Sequence, residues 1–167
     1  MQPLVESDIR SSFRNASDAE LAQLSLPHDF VLTEWAHLDA FAWRDPRIPA
    51  RGYLVTELSG EPAGVVLRVA TANGSHHRAA ICNLCHTQQP GDQVVLFSAR
   101  RAGSAGERGD SIGTYACSDL ACQETVRLGR PAAPSEVLPS VREIERIEGL
   151  ARRTRAFVAD VLGTAAA

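Results

Sequence analysis

The chain carries four cysteines in two pairs: Cys82-Asn83-Leu84-Cys85, and Cys117-Ser118-Asp119-Leu120-Ala121-Cys122. Two thiolates at CxxC spacing can grip one tetrahedral ion while amides of the same turn point at the sulfurs, and a second pair closes a four-sulfur shell suited to zinc. The order of the flanking patterns sharpens this. A knuckle, then a hairpin, then one ligand at the hairpin's end and another in the first turn of a helix, describes a treble-clef zinc finger. Cys117 follows a β-rich run ending at Ala116, Asp119 reads as a helix N-cap, and Cys122 falls in a first helical turn, where the dipole favours a thiolate. Cys82, Cys85, Cys117 and Cys122 are therefore the expected ligands of one Zn²⁺ per chain. A closed shell leaves no position for water, so the ion is expected to hold a fold and not to perform a reaction. Thioredoxin-like redox chemistry at Cys82 and Cys85 is the competing reading, and it leaves the second pair unexplained.

The remaining reactive residues form no comparable pattern. His86 follows the knuckle and could replace a cysteine in a Cys₃His shell, and His76 and His77 lie upstream; all three read as surface or packing histidines. There is no GxSxG elbow, P-loop or GxGxxG, and no histidine has a convincing Ser or Cys partner, so neither an enzyme nor a small-molecule substrate is expected. Around the cysteines stand Arg100, Arg101, Arg108, Arg127 and Arg130, with aromatic Phe97 and Tyr115 on the neighbouring strands. Between residues 75 and 130 six arginines face five acids, which makes a local basic face and not a basic domain. A self-paired, solvated surface and a site for RNA phosphate or an acidic partner both fit that balance.

Several elements must position these residues. At the start, Ser17-Asp18-Ala19-Glu20 is a capping box, Ile9 and Phe13 are spaced i, i+4, and Trp35, Leu38 and Phe41 or Ala42 recur at three to four residues. The first 45 residues thus read as a helical region. Two prolines and a glycine in residues 44–52 break it. Residues 53–58 and 64–69 are β-rich runs around a hairpin signal, Ser59-Gly60-Glu61-Pro62-Ala63, and residues 93–99 and 112–116 form a second pair joined by a Gly-rich loop, 103–111. Residues 46–130 make the zinc-binding α/β domain on this reading. A Pro-rich linker at 129–134 opens the last part, 131–167. There Val137, Val141, Ile144, Ile147, Leu150, Val158 and Val161 trace the apolar stripe of an amphipathic helix over residues 135–162. The expected class is α+β, with that helix packing back on the N-terminal helices and burying both Ile144 and Ile147.

Composition sets the outer limits. In 167 residues, 44% are hydrophobic and 22% charged, the balance of an ordinary folded domain and not of a disordered chain. All 17 basic residues are arginine, which points to coding bias, and the net charge of −3 advertises no polyanion or membrane partner. The start, MQPLVESDIR, lacks the basic and apolar run of an export signal, and no stretch is apolar for long enough to span a bilayer. A cytoplasmic protein is expected.

With the cysteines placed, the segments Cys82-Asn83-Leu84-Cys85 and Gly113-Thr114-Tyr115-Ala116-Cys117-Ser118-Asp119-Leu120-Ala121-Cys122 resemble the C-terminal treble-clef domain of FusB/FBP-type elongation factor G-binding proteins. The likeness extends to Trp43-Arg44-Asp45-Pro46, to Arg51-Gly52-Tyr53-Leu54-Val55 and to the terminal helix with Glu145-Arg146, Leu150 and Phe157-Val158. It implies binding of elongation factor G on the ribosome. Resistance members of that family release the factor where fusidic acid has trapped it. Tyr115 is the contact carried over from the family's GTY segment, and Arg100, Arg101 and Arg127 are expected beside it on the partner face. An accessory contact to ribosomal RNA is also expected; a zinc-containing RNA- or ribosome-binding module is the alternative. The chain departs from the resistance proteins in being shorter, in having no Lys and in carrying Ala116 where a bulkier aliphatic residue is common. These departures separate factor binding, which the motif implies, from drug protection, which it does not.

Overall fold

A computed structural model describes residues 1–71, 78–128 and 139–164. Its centre grows from the hairpin signal at residue 59. Ser59 and Gly60 both take positive φ (53° and 84°), the two-residue turn whose twist matches the strands it joins, so Leu58 faces Glu61 across the turn. The flanking runs become β2 (Arg51–Leu58) and β3 (Glu61–Thr71). Around them β1 (Ala40–Arg44), β6 (Val94–Arg100) and β7 (Ser111–Cys117) complete an antiparallel five-stranded sheet in the order β1-β2-β3-β6-β7. A separate two-stranded sheet, β4 (Ala79–Ile81) with β5 (Gln88–Pro90), is inserted between β3 and β6. The helices are α1 (Glu6–Ser12), α2 (Asp18–Ala22), α3 (Gly103–Glu107), α4 (Cys122–Arg127) and α5 (Pro139–Leu162).

Period-two alternation sends side chains to opposite faces of the sheet, and both faces are buried. Leu54, Val65, Leu67, Phe97 and Ala116 point to one face, where they meet Leu150, Val158 and Val161 of α5 and the cysteines. Phe41, Trp43, Tyr53, Val55 and Val66 point to the other, against Ile9, Phe13 and Leu24. On that second face the rings of Phe41, Trp43 and Tyr53 follow one another with centroids 4.8 Å apart, and Phe13 meets Tyr53 edge-on at 5.6 Å.

The terminal helix therefore does not pack on the N-terminal helices. It lies against α4, β2 and β3 on the face opposite α1. An apolar helical stripe shows that a partner is needed but not which face of a two-sided sheet supplies it. The stripe itself is shorter than expected, because Ile144 is 55% exposed and Val141 is 40% exposed, while burial runs from Leu150 to Val161. Residues 135–138, Val137 included, and the linker at 129–134 lie outside the described residues.

Two further readings change. The spacing of Trp35, Leu38 and Phe41 looked helical, yet Trp35–His37 is a single 3₁₀ turn and residues 40–44 are strand β1. Aromatic packing along the pleat outweighs a short helical period there. The 103–111 segment, read as a loop, contains α3. By contrast the capping box forms as expected: Ser17 caps α2, and the Ser17 amide donates to Glu20 Oε2 at 2.9 Å.

Two polar side chains fix the sheet's ends. Asn15, buried, takes the place of a missing strand contact where β3 and β6 part: its Nδ2 donates to the carbonyls of Val66 (3.1 Å) and Arg100 (3.0 Å), and its Oδ1 accepts from Val66 N (2.8 Å). Asp45, at 1% exposure, closes the β1–β2 corner. Its Oδ1 accepts from the amides of Arg47 (2.8 Å) and Ile48 (2.9 Å), and its Oδ2 from the Tyr53 hydroxyl (2.8 Å). Burial alone would raise the Asp45 carboxyl, but these bonds outweigh it and hold the group below its ordinary value. The Tyr53 phenol is pushed up to about 12, chiefly by burial.

Candidate metal centre

The β4–β5 hairpin carries Cys82 and Cys85 in its turn. His86 takes a positive φ of 55°, which lets its amide return to the Cys82 carbonyl at 2.9 Å while the Cys82 amide meets Thr87 O at 3.2 Å. The Cys85 amide points at Cys82 Sγ, 3.4 Å away. The other pair comes from the end of β7 and the start of α4. Between them Leu120 turns with φ 63°, and Asp119 Oδ1 accepts from the Ala121 amide at 2.9 Å. Asp119 is thus an Asx turn and not the helix cap; Ala121 occupies the cap position.

All four thiols meet. Cys82, Cys85, Cys117 and Cys122 are buried and their sulfurs lie within 4.8 Å of one another, with Cys82–Cys122 at 3.7 Å and Cys85–Cys117 at 3.6 Å. Zinc–sulfur bonds of about 2.3 Å in a tetrahedron place sulfurs about 3.8 Å apart, so the cluster has the dimensions of a Cys₄ zinc shell. By themselves the thiols oppose one another. Hydrogen bonding from Cys117 and Cys122 lowers Cys82, to about 7, and lowers Cys85, whereas Cys122 is driven up by its hydrogen bonds to Cys117, Cys82 and Cys85. Four thiolates can share this volume only around a dication. One structural zinc fits the site, held by these four residues. His86 is exposed and stands outside the set; His76 and His77 lie outside the described residues.

Both arms of the centre are tied to the body by arginines that cysteine spacing alone does not reveal. Arg153 of α5 donates from Nε to the Leu84 carbonyl in the knuckle, at 2.6 Å. Burial and the like charge of Arg152 hold its pKa below the ordinary value, against the charge of the nearby Cys85, Cys82 and Cys122 sulfurs, which raises it. Arg44 of β1 donates from Nη1 to the Ser118 carbonyl at 2.6 Å, and its guanidinium lies over the Phe97 ring at 5.4 Å. Leu120 completes the docking: a Cβ on Gly52 would lie 2.7 Å from Leu120 Cδ1, so a larger residue at this crossing would make the Leu120 side chain shift. Arg44 sits in the Trp43-Arg44-Asp45-Pro46 segment noted above. For Arg153 the sequence carries no signal, since it reads as one more polar helical residue.

The residues expected on a partner face are distributed differently. Tyr115 is 53% exposed on β7, beside its cross-strand neighbour Leu96, and its carbonyl accepts from the Asn83 amide of the knuckle at 2.7 Å. Arg100 reaches Asn15 O and Glu20 Oε2, each at 3.3 Å. Arg101 pairs with Asp160 at the end of α5, with Nη1 2.8 Å from its carbonyl and Nη2 3.1 Å from Oδ1. Arg127 bonds the Gln123 side chain at 2.7 Å, bonds His37 O, and faces Asp39 at 3.9 Å. The three guanidinium groups thus end at three separate places and do not gather around Tyr115. Arg130 lies outside the described residues.

A cysteine knuckle on one hairpin, a second hairpin, and a helix that opens on the fourth ligand define a treble-clef zinc finger, here built into one flank of an antiparallel sheet. The chain belongs to the FBP C-terminal treble-clef zinc-finger family, whose model matches residues 8–161. No curated protein and no solved structure matches it. Among the described residues no helix is long and apolar enough to cross a membrane.

Proposed function

We propose that this protein is a binding module for elongation factor G and that its contact is centred on Tyr115. The observation that carries the reading is that a large aromatic side chain, half exposed, stands on a strand whose backbone is bonded directly to the zinc knuckle. Exposed aromatic anchors of this kind tend to dominate interface energy, and rigidity lowers the entropy lost on binding. Membership of the family supports the partner, and the closed sulfur shell supports a protein that binds without catalysing.

Arg100 and Arg101, which end away from Tyr115, then serve as outlying contacts, and Arg127, beside the β1 edge of the sheet, is left out of this contact. The three arginines are paired with Glu20, Asp160 and Asp39 and stand apart, so they form no cluster of free cations of the kind a phosphate backbone needs, which favours a protein partner over ribosomal RNA. Such a module accelerates release of the factor from the ribosome only by binding a conformation that the ribosome holds poorly. The reading puts the protein in the cytoplasm, where the factor works. Calorimetry with purified factor, free of ribosomes and RNA, tests it. Tyr115→Ala should weaken the complex by about 2 kcal/mol, or about 30-fold. Absence of heat at micromolar concentrations, together with tight binding to ribosomal RNA, would turn the assignment to the RNA-binding alternative.

A further inference from the structure

Strand β1 ends the sheet, and its outer edge is open. The Asp45 amide donates to Arg51 O at 3.0 Å, and the Asp39 carbonyl is turned inward to Thr56 Oγ1 at 2.9 Å. Bonded pairs alternate along an antiparallel ladder, so Phe41 and Trp43 direct their N–H and C=O groups at β2, and those of Ala42 and Arg44 face outward. Among the described residues nothing accepts or donates to the outward backbone groups of Ala42 and Arg44. Exposed edges are usually blunted by a proline, a bulge or a charged side chain. Residues 40–44 pair in unbroken register with no proline, and the one charge, Arg44, turns back to Ser118.

A groove of about 630 Å³ runs along this edge, touching all five β1 residues. One wall is the 27–38 segment, with Leu32 and Glu34, and the other is the start of α4, with Gln123 and Glu124. Four acids line it, Asp29, Glu34, Asp119 and Glu124, against two arginines. Arg44 and Arg127 are both engaged within the chain, at Ser118 and at Gln123, His37 and Asp39. Asp29, Glu34 and Glu124 are exposed and form no ion pair among the described residues. A visitor therefore meets a strand template between apolar and acidic walls.

We propose that this groove takes an extended, basic peptide segment of a partner protein, which adds to the sheet as a further strand against Ala42 and Arg44. Main-chain bonds to the edge supply affinity, and alternate side chains reach the two walls. Charge argues against the other occupants: a second copy of this chain would bring the same acids edge to edge, and a nucleic acid would bring phosphates to them. The proposal uses the sheet edge opposite Tyr115 and does not rest on the elongation factor reading, so either can fail alone.

The test uses the full-length, zinc-loaded protein labelled with ¹⁵N and, as probe, a capped peptide of about eight residues alternating Val and Lys, with its Val and Glu counterpart. The Lys peptide should slow amide exchange at Ala42 and Arg44 about tenfold or more, and the Glu peptide should leave both unchanged. Glu34→Lys combined with Glu124→Lys, two exposed changes whose folding is checked by melting, should weaken the Lys peptide by about tenfold. Equal affinity for both peptides, binding that leaves the Ala42 and Arg44 amides unprotected, or no binding at millimolar peptide would each overturn the proposal. So would sedimentation showing a dimer in which those same amides are already protected.

Discussion

Replacing Asp45 by Asn removes one charge from the corner between β1 and β2, and the structure sets its cost. The carboxylate accepts three hydrogen bonds in a site open to almost no water. Asparagine can keep the two amide donors on its single oxygen, but each loses its charge-assisted part, about 0.5–1 kcal/mol apiece. Its Nδ2 can donate to the Tyr53 oxygen, but the buried phenol then loses the acceptor that its own proton had, which costs about 1–2 kcal/mol more. The sum is about 2–4 kcal/mol, or a fall of about 5–15 °C in melting temperature for a chain of this size. The acid dependence follows from the lowered carboxyl. A group depressed in the folded state contributes fully above its unfolded value, about 3.9, and loses that contribution as pH falls through the folded value. The gap between parent and Asp45→Asn should therefore be full at neutral pH and narrow below about pH 4. Tyr53 works in the opposite direction: raised to about 12, it adds stability below its unfolded value, about 10, which is lost as pH rises through the folded one. Thermal melts of both proteins from acid to neutral pH provide the assay. An Asp45→Asn protein that melts like the parent at pH 7 would show that the corner does not depend on the carboxylate.

Freshly purified protein should contain one zinc per chain by elemental analysis, and Cys117→Ser should lose most of the metal and melt well below the parent; an undiminished melt in the metal-free variant would remove zinc from the folding account. Arg153→Ala frees the Leu84 carbonyl and withdraws a positive charge from the sulfurs, so a chromophoric chelator should extract zinc about tenfold faster than from the parent, and an unchanged rate would leave the knuckle independent of α5. Ile144→Asp should change stability by less than about 0.5 kcal/mol, whereas Leu150→Asp, which puts a charge at a position 1% exposed, should cost about 4 kcal/mol or more, and similar melts for the two would contradict the placement of α5.

The metal centre was legible because zinc chemistry is written locally: two short spacings, a hairpin and a helix start name all four ligands without any knowledge of how the chain packs. The hairpins were legible for the same reason, since Ser59-Gly60 and the alternating runs act through neighbours. What was not legible is long-range. Arg44 and Arg153 look like ordinary polar residues until β1 and α5 bring them to Ser118 and Leu84, more than 60 residues away in the chain. The side of the sheet that α5 covers is likewise invisible to a helical stripe. So is the fate of the arginines, because a charge count between residues 75 and 130 does not see Glu20, Asp39 and Asp160, which lie outside that window and pair with them.

That same distribution bears on how the zinc would act on the partner contact proposed at Tyr115. The ion ties Cys85 to Cys117, two residues beyond Tyr115, and the Asn83 amide ties the knuckle to the Tyr115 carbonyl. Arg153 fixes the knuckle from α5, and Arg44 fixes the Ser118 turn from β1. Tyr115 is thus anchored from both arms of the clef while its ring remains half exposed. Loss of zinc would free both arms without touching the ring itself, so its first effect on binding is entropic: the contact survives chemically but must be ordered again at every encounter. Metal loss and loss of the aromatic ring should therefore both weaken the complex by the same route of contact, and combining Tyr115→Ala with Cys117→Ser should weaken it by less than the sum of the two changes, since the anchor that zinc makes rigid is then already absent.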